Sequence, residues 1–362
     1  MKRLDRYVLT EMLPPFLFGI GAFLAILVGV QLLYEMLRMI YTAGFPAWAA
    51  IRIFLLEIPG TVTLTLPMAT MFGSLMAMGR LSGDGEVVAM RAGGTSVPRI
   101  GASLIVAGML ISIIGLVVNE SVVPPAKNRA FEIARDVRTT AAGEDDFVYV
   151  DRDDEGHVER ILHAERFDME RLALYDVTVV DYTLGSKPVF YTVPKAWWQG
   201  EYWIMRNPEQ TIWDENLGGL RSWTVPKASI PVGHSKDEME RIRKGPDDMT
   251  LEELREEMAT ARRREADARA DRLWMHYHVR LAIPWASLGF AVLGLALGVH
   301  RQRSSRGIGM GVSLLVIFIY YVVAHTLTLV GERGVAHPAI MAWTPNVLLY
   351  LTGIGLLLSN SR

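Results

Sequence analysis

Arg80-Leu-Ser-Gly-Asp-Gly-Glu-Val-Val-Ala-Met-Arg-Ala-Gly-Gly-Thr-Ser96 is a charged stretch between two long apolar runs. Its pattern predicts a short helix over about residues 82–94, with Ser82 or Asp84 capping the start and Gly93-Gly94 providing a left-handed stop. About ten helical residues reach roughly 15 Å, which is too short to cross a membrane. A soluble partner could bind such a helix on a membrane loop. The alternative is a loop helix that lies at the membrane interface and binds no partner.

The composition limits the class of protein. The chain has 362 residues, of which 51% are hydrophobic and 21% charged, and its mean hydropathy is +0.22. A chain can combine a high hydrophobic fraction with many charged residues when its apolar and polar residues occupy separate segments. A net charge of −2 argues against binding to nucleic acid, and the absence of cysteine excludes disulfides and thiolate metal sites. The start shows no convincing signal-peptide cleavage site, so we expect the first apolar run to be retained.

Six stretches without Asp, Glu, Lys or Arg are long enough to span a bilayer. They cover residues 12–34, 58–79, 100–119, 281–300, 307–331 and 334–361. The sequence therefore predicts an α-helical membrane protein with a 3+3 arrangement of spans around a polar insert. We expect three parts, which are 1–123 with three spans and the short helix, 124–248 with the insert, and 249–362 with a connecting helix and three further spans.

The distribution of Lys and Arg predicts the orientation. With the N-terminus inside, the inner segments carry ten of these residues, and the outer short loops carry three. The inner ones are Lys2, Arg3, Arg6, Arg80, Arg91, Arg99, Arg301, Arg303, Arg306 and Arg362, and the outer ones are Arg38, Arg52 and Arg333. Both termini and the 80–96 stretch should therefore be cytoplasmic, and the insert should lie outside. Trp48, Trp274 and Trp285 fall near the expected outer boundary.

The insert has the pattern of strands. Residues 147–150, 172–180, 189–193 and 202–205 are β-branched or aromatic runs separated by turn residues, which favours a sandwich or jellyroll. If its interior conducts lipid, alternating positions such as Phe147 and Tyr149, or Val177 and Val179, would line it, and an ordinary packed core is the alternative. Thr250-Leu-Glu-Glu253 is a capping box, which predicts a charged helix to about Arg272 that leads directly into the fourth span.

The sequence contains no Walker A, G-x-S-x-G or H-E-x-x-H motif, so neither P-loop ATP binding nor hydrolase chemistry is predicted. His276 and His278 are two residues apart and do not share a helix face, which disfavours a metal site. The spans contain no carboxylate or lysine, which argues against an ion-coupled carrier. His325 is the central titratable residue of the fifth span, and a hydrogen-bonded packing role is favoured over a relay.

Charged residues cluster near the expected outer ends of two spans. Gln31, Glu35 and Arg38 follow four- and three-residue steps and should share a helix face. Lys127 and Arg129 follow the third span. Individually these are best interpreted as rim charges that snorkel to the interface. Together they could form a cationic pocket for phosphate or acidic sugar in the outer leaflet.

Several short motifs, weak individually, follow one another over nearly the whole chain. They are Leu4-Asp5-Arg6-Tyr7, the 81–96 stretch, Val123-Pro124, Ala196-Trp-Trp-Gln-Gly-Glu-Tyr-Trp203, Arg280 with Pro284, Arg306-Gly307, Tyr320-Tyr321 and Ala342-Trp-Thr-Pro-Asn346. In this order and spacing the chain resembles the lipopolysaccharide-export permeases LptF and LptG, the YjgP/YjgQ family. The resemblance implies six transmembrane helices in the bacterial inner membrane and a periplasmic β-jellyroll between the third and fourth.

The resemblance also implies partners and site residues. A coupling helix in the 80–96 stretch would dock on a cytoplasmic ABC ATPase dimer, with Glu86 at the contact. The candidate coupling residues are Arg80, Ser82, Asp84, Glu86, Val87 and Arg91. The candidate residues for lipopolysaccharide or a related glycolipid are Gln31, Glu35, Arg38, Lys127, Arg129 and His325, and Gln31 stands where some members have a basic residue. The chain would have no catalytic residue, metal or cofactor of its own, since ATP would be bound by the partner.

Further partners implied by the resemblance are a second LptF/LptG-type permease and periplasmic bridge proteins of the LptC/LptA type. A mechanotransmission or lipoprotein-releasing ABC subunit is the main alternative, and the 3+3 layout and the Trp343-Thr-Pro-Asn346 motif disfavour it. An ion-coupled carrier and a membrane enzyme are weaker alternatives. The sequence leaves open whether the chain is LptF-like or LptG-like and whether it pairs with itself.

Overall fold

The computed structural model describes residues 3–42, 44–141, 147–152, 158–168, 171, 173–183, 187–199, 202–214, 218–231, 246, 249–263, 267–299 and 306–361. Its helices are α1 (Arg3–Leu27), α2 (Leu33–Tyr41), α3 (Ala47–Gly83), α4 (Glu86–Ala92), α5 (Val97–Ile100), α6 (Ala102–Ser121), α7 (Val123–Ala141), α8 (Leu251–Arg263), α9 (Asp267–Val299), α10 (Arg306–Glu332) and α11 (Pro338–Ser361). A π-helical turn, Val28–Leu32, joins α1 to α2. The chain forms two compact units, one containing the apolar helices and the other the strands.

The six predicted spans are confirmed in the described part of the chain. Six helical segments there are long and apolar enough to cross a membrane. They are Arg3–Tyr41, Ala47–Gly83, Ala102–Ala134, Arg269–Val299, Gly309–Glu332 and Pro338–Ser359. His300, at the end of the fourth predicted span, and the inner basic residues Lys2, Arg301, Arg303 and Arg362 lie outside the described residues.

Helix α9 lies at the centre of the helical unit. Its most apolar segment is 78% buried, whereas the corresponding segments of the first span and of α10 are 11% and 17% buried. Small residues allow the neighbouring helices to approach it. A Cβ atom added at Gly298 would lie 2.5 Å from the Met78 Cβ atom of α3, and one added at Gly108 of α6 would lie 2.5 Å from the Ala291 Cβ atom. Close backbone approach through small residues is how apolar helices associate in lipid.

Buried hydrogen bonds join these helices. The Asn346 side-chain amide of α11 donates to the Ala282 carbonyl of α9 at 2.7 Å, and the Tyr320 hydroxyl of α10 donates to Asn346 Oδ1 at 2.8 Å. The Tyr321 hydroxyl donates to the Leu64 carbonyl of α3 at 3.0 Å. Asn346 is fully buried, so an unpaired amide there would be costly. The tyrosine pair and the asparagine of the last motif therefore hold four helices together.

The capping box is confirmed at the start of α8. The Thr250 backbone N–H donates to Glu253 Oε2 at 2.8 Å, and the Glu253 N–H donates to Thr250 Oγ1 at 3.1 Å. The predicted length was wrong, because α8 ends at Arg263 and a separate helix begins at Asp267. The charged helix therefore does not lead directly into the fourth span.

Instead, α8 folds back along the start of α9. Leu254 and Ala261 of α8 pack against Ala270 and Leu273 of α9. Beside this cluster the Arg269 guanidinium donates to Glu257 Oε1 at 2.6 Å, and the Glu257 side chain is only 3% exposed. Since a buried carboxylate without a partner is strongly destabilising, this ion pair fixes the helix reversal.

The second unit contains one antiparallel sheet in the described residues. Its strands are β1 (Phe147–Arg152), β2 (Val158–Asp168), β3 (Ala173–Asp181), β4 (Val189–Gln199), β5 (Tyr202–Arg206), β6 (Glu209–Asp214), β7 (Gly219–Thr224) and β8 (Lys227–Pro231). The order is β1-β2-β3-β4-β5-β8, and β6 pairs with β4 and β7. The four predicted strands are confirmed as β1, β3, β4 and β5. Within the 196–203 motif, residues 196–199 lie on β4 and residues 202–203 on β5, and Trp198 pairs with Trp203, whereas the predicted turn at 200–201 lies outside the described residues.

One side of the sheet is covered by a packed apolar cluster. Val177 and Val179 are fully buried in it, together with Leu162, Leu174 and Trp203. The structure therefore favours an ordinary core at Val177 and Val179 over a lipid-lined interior. The side chains of the other predicted pair, Phe147 and Tyr149, lie outside the described part of the chain, and closure of the sheet into a jellyroll stays a prediction.

Candidate functional site

The short helix of the charged stretch is α4, Glu86–Ala92, which is shorter than the predicted 82–94. Helix α3 continues to Gly83, and the chain then turns at Gly85, whose φ angle of 78° lies in the left-handed region. Gly85 occupies the N-cap position, and no side chain caps the helix. The prediction that Ser82 or Asp84 caps it was wrong because α3 includes Ser82 in its last turn and Gly85 takes the cap position.

The predicted stop of α4 is confirmed. Gly94 has a φ angle of 84°, the Thr95 N–H donates to the Met90 carbonyl at 3.0 Å, and the Gly94 N–H donates to the Arg91 carbonyl at 2.9 Å. This pair of bonds is the Schellman motif that satisfies carbonyls at a helix end. The end of α4 is therefore fixed by its backbone and does not depend on an external partner.

The two sides of α4 have different environments. Val87 is 2% exposed and packs into the apolar cluster between α1, α3, α6 and α9, and Met90 packs against the same cluster. On the other side Val88 is 51% exposed, and Ala89, Arg91 and Ala92 are also exposed. We call these four residues the α4 surface. It combines apolar groups with one cation.

Polar contacts join the first helix to the ends of α3 and α4. The Tyr7 hydroxyl donates to Glu86 Oε1 at 2.9 Å. Glu11 forms an ion pair with Arg80, and the Arg80 guanidinium also lies 3.5 Å from the Asp84 carboxylate. Two side chains of α1 therefore hold the segment that leads into α4.

A third contact joins α1 to α5. The Arg99 guanidinium donates to both Asp5 carboxylate oxygens, at 2.6 and 3.3 Å. The hydrogen bond to Asp5 raises the pKa of the Arg99 guanidinium above its ordinary value, so the guanidinium stays charged. We call Asp5, Tyr7 and Glu11 the α1 anchor, because each of them fixes a different neighbouring element.

The candidate coupling residues are thus divided by their surroundings. Ser82 is buried, and its hydroxyl donates to the Val299 carbonyl at 2.8 Å, which joins the ends of α3 and α9. Val87 is also buried. Asp84 and Arg91 are exposed, Arg80 is half exposed, and Glu86 is partly buried. A soluble partner could therefore reach four of the six without any rearrangement.

The outer-rim candidates on the first span form one ion pair. Arg38 lies 3.3 Å from Glu35, with 60% and 44% of the two side chains exposed. Gln31 is exposed and belongs to the π turn, so its step to Glu35 is not the regular α-helical one. Since Glu35 balances the charge of Arg38, this rim is less cationic than the sequence suggests.

The remaining candidates lie on α7 and α10. Lys127 is partly buried and Arg129 exposed, and two residues along a helix are separated by about 200°. The two cations therefore lie on different sides of α7. His325 is exposed on α10, and its hydrogen-bonded packing role stays a prediction. Its position continues the exposed row Leu315, Phe318 and Val322.

The two neighbouring histidines of α9 have different partners. His276 Nε2 lies 3.3 Å from the Glu332 carboxylate, and His278 Nδ1 accepts a hydrogen bond from the Trp343 indole at 3.4 Å. Within the described residues, no group of three or more His, Cys, Asp or Glu side chains could hold a metal ion.

The α1 anchor was not predicted. Asp5 and Tyr7 belong to the first of the short motifs, but no role was assigned to them, and Glu11 was not singled out. A carboxylate near the start of an apolar helix requires a partner. Its presence in the sequence therefore indicates that some contact exists. The partners lie 69 to 94 residues away, and the sequence does not identify them.

Comparison with known proteins agrees with this architecture. The family model described as “Lipopolysaccharide export system permease LptF/LptG” matches residues 6–359. One similar protein is the lipopolysaccharide export system permease protein LptG of Haemophilus influenzae, which is 28% identical over 141 residues. That alignment covers 38% of this chain and 37% of the relative, so it spans well under half the length of the relative.

Proposed function

Because this chain belongs to the LptF/LptG family of lipopolysaccharide export permeases, we propose that it is a membrane subunit of an ABC transporter that extracts lipopolysaccharide or a related glycolipid from the inner membrane. The observation that carries the proposal is the family match over residues 6–359. The six apolar helices make the chain a multi-pass membrane protein. ATP would be bound and hydrolysed by a separate cytoplasmic ATPase dimer.

The proposal includes an orientation. Both termini and α4 face the cytoplasm, and the sheet unit, within residues 124–248, lies in the periplasm and closes into a jellyroll. The excess of Lys and Arg in the segments on the α4 side supports this arrangement. The cargo would pass from the outer leaflet of the inner membrane through the sheet unit to bridge proteins of the LptC/LptA type.

The α4 surface, together with Glu86 at the start of the same helix, is the proposed contact with the ATPase. Val88, Ala89 and Ala92 offer apolar area, Arg91 adds a charge, and Val87 secures the opposite side in the helical core. A force applied to this surface would be transmitted through the α1 anchor to the first span. This arrangement suits a short helix that couples ATPase closure to movement of the membrane helices.

A second permease would cover the poorly buried helices. Segments of the first span and of α10 are only 11% and 17% buried, so each presents a long apolar side to lipid or to another helix. His325 lies on that side of α10. Because an imidazole in hydrocarbon is costly, its exposure favours a polar cavity or a partner chain at this position.

The energetics require both a pump and an apolar path. Moving acyl chains out of the bilayer costs about 0.8 kcal/mol per CH2 group. A cargo with several chains therefore needs ATP hydrolysis and a cavity in which the chains remain covered. Long apolar runs without carboxylates, such as residues 12–34 and 58–79, suit such a cavity better than they suit ion transport.

The decisive experiment is to purify the chain from its native membrane and identify its subunits and lipids by mass spectrometry. We expect an ABC ATPase, a second permease of the same family or a second copy, and an acylated glycolipid. An ATPase without glycolipid would support the lipoprotein-releasing alternative. A chain that purifies with neither would contradict the proposal.

The outer-rim candidates can be tested separately. Replacing Arg38, Lys127 and Arg129 together with glutamine should reduce the retained glycolipid by on the order of tenfold, since each of these surface charges contributes about 0.5 kcal/mol. Assembly with the ATPase should be unchanged. Arg333→Gln, which removes an exposed charge between α10 and α11, is the matched control. Normal glycolipid retention in the triple variant would show that these residues only anchor the helices at the interface.

A further inference from the structure

A groove of about 800 Å³ lies between α1 and α6, at the ends of these helices that adjoin α4 and α5. Apolar side chains form most of its walls, among them Leu13, Phe16, Val106 and Leu110. Leu13, Val106 and Leu110 are each more than half exposed on membrane-spanning helices. Hydrocarbon of the bilayer can therefore enter the groove from the side.

The end of the groove nearest α5 is polar. Asp5, Arg6 and Arg99 line it there, so the charges that face the groove leave an excess of one positive charge. Arg99 is held in position by its two hydrogen bonds to Asp5. A single phosphodiester group carries one negative charge, which would balance this excess.

Ser103 provides a second, independent indication of a ligand. Its side chain lines the groove and is only 5% exposed, and its hydroxyl has no hydrogen-bond partner among the described residues. A buried hydroxyl without a partner is unfavourable unless a ligand provides one. Ser103 is the second residue of α6, where the helix dipole also favours an anion.

We propose that this groove binds one phospholipid, with its phosphodiester at Arg6, Arg99 and Ser103 and an acyl chain along Leu13 and Val106. With the orientation proposed above, the lipid belongs to the cytoplasmic leaflet, so this is a different site from the outer-leaflet path of the cargo. A transmembrane helix of another subunit fits less well, because it would have to place an anion against Ser103 while filling an apolar groove.

The position of the groove gives the lipid a structural role. Its polar end includes the Asp5–Arg99 pair, which is part of the α1 anchor and lies one short helix away from α4. A bound phospholipid would therefore support the contact between α1 and α5 on which the position of α4 depends. Loss of the lipid should loosen the first span relative to α6.

The test uses the full complex in vesicles of phosphatidylethanolamine that contain phosphatidylglycerol with a photoactivatable acyl chain. We expect illumination to label α1 and α6 peptides that line the groove. Arg6→Gln and Ser103→Ala should each lower this labelling about tenfold, and the double variant should lower it about a hundredfold, since each removes a hydrogen bond to a charged group. Ser103→Ala introduces no polar group and leaves no cavity, so it should fold normally.

Two matched controls make the result specific. Arg3→Gln removes a cation from the same helix end but outside the groove, and should not change the labelling. Val106→Trp fills the groove, whereas Ile114→Trp places the same ring on a lipid-facing position of α6 outside it. Equal labelling in all variants would mean that the groove contains only bulk lipid and would overturn the proposal. Attachment of a photoreactive residue at position 106 to another subunit would also overturn it.

Discussion

Gly298→Ala should destabilise the helical unit, and Gly294→Ala together with Gly298→Ala should prevent accumulation of the protein in the membrane. A Cβ atom at Gly298 would lie 2.5 Å from the Met78 Cβ atom and 3.1 Å from the Gly79 backbone nitrogen, and one at Gly294 would lie 3.0 Å from the Met71 carbonyl oxygen. Backbone atoms cannot move aside as side chains do. Overpacking of this kind costs about 1–3 kcal/mol for each site.

Gly311→Ala is the matched control for this prediction. Gly311 lies in α10, and a Cβ atom there would meet nothing within 4 Å. Alanine favours the helix over glycine by about 1 kcal/mol, so this variant should be as stable as the parent or more stable. The measurement is thermal unfolding of the detergent-solubilised complex and the amount of protein in the membrane. If Gly298→Ala and Gly311→Ala behave alike, α3 and α9 do not depend on close approach at this point.

The features that the sequence predicted correctly are local ones. The six spans follow from uninterrupted apolar runs. The capping box at Thr250 and the C-terminal stop of α4 at Gly94 each depend on a few adjacent residues. The same local reasoning failed at the start of α4. The hydroxyl of Ser82 matches a capping pattern, but it bonds to the Val299 carbonyl, which lies 217 residues away in the sequence. No local sequence pattern around Ser82 indicates that this distant carbonyl competes for its hydroxyl.

The strands that were not predicted show the same limit. Strand β2 alternates Glu and Arg with its apolar residues, and buried positions occur at Leu162, Ala164 and Phe167, so the period of two is broken. Its place in the sheet depends on pairing with β1 and β3. For the candidate site, the sequence identified α4 and Glu86, whereas the contact of Glu86 with Tyr7 depends on how α1 packs.

Glu86→Ala should leave folding nearly intact but weaken the complex with the ATPase. Its carboxylate is at the start of α4, where the helix dipole contributes about 0.3–1 kcal/mol, and its exposed bond to Tyr7 contributes about 0.5–1.5 kcal/mol. In a docked interface, removal of one partner of a buried charge pair costs about 2–5 kcal/mol. We therefore expect normal amounts of protein in the membrane, at least about 30-fold weaker binding of the ATPase, and loss of transport.

Tyr7→Phe separates the two roles of Glu86, because it removes the same hydrogen bond while the carboxylate remains available to a partner. If the carboxylate contacts the ATPase, Tyr7→Phe should bind the ATPase almost as well as the parent, and Glu86→Ala should not. If Glu86 acts only by holding α4 to α1, the two variants should lose binding equally. Affinity of the purified ATPase for each detergent-solubilised variant decides between these results. Equal loss, or normal binding and transport by Glu86→Ala, would show that the contact with the ATPase does not include Glu86.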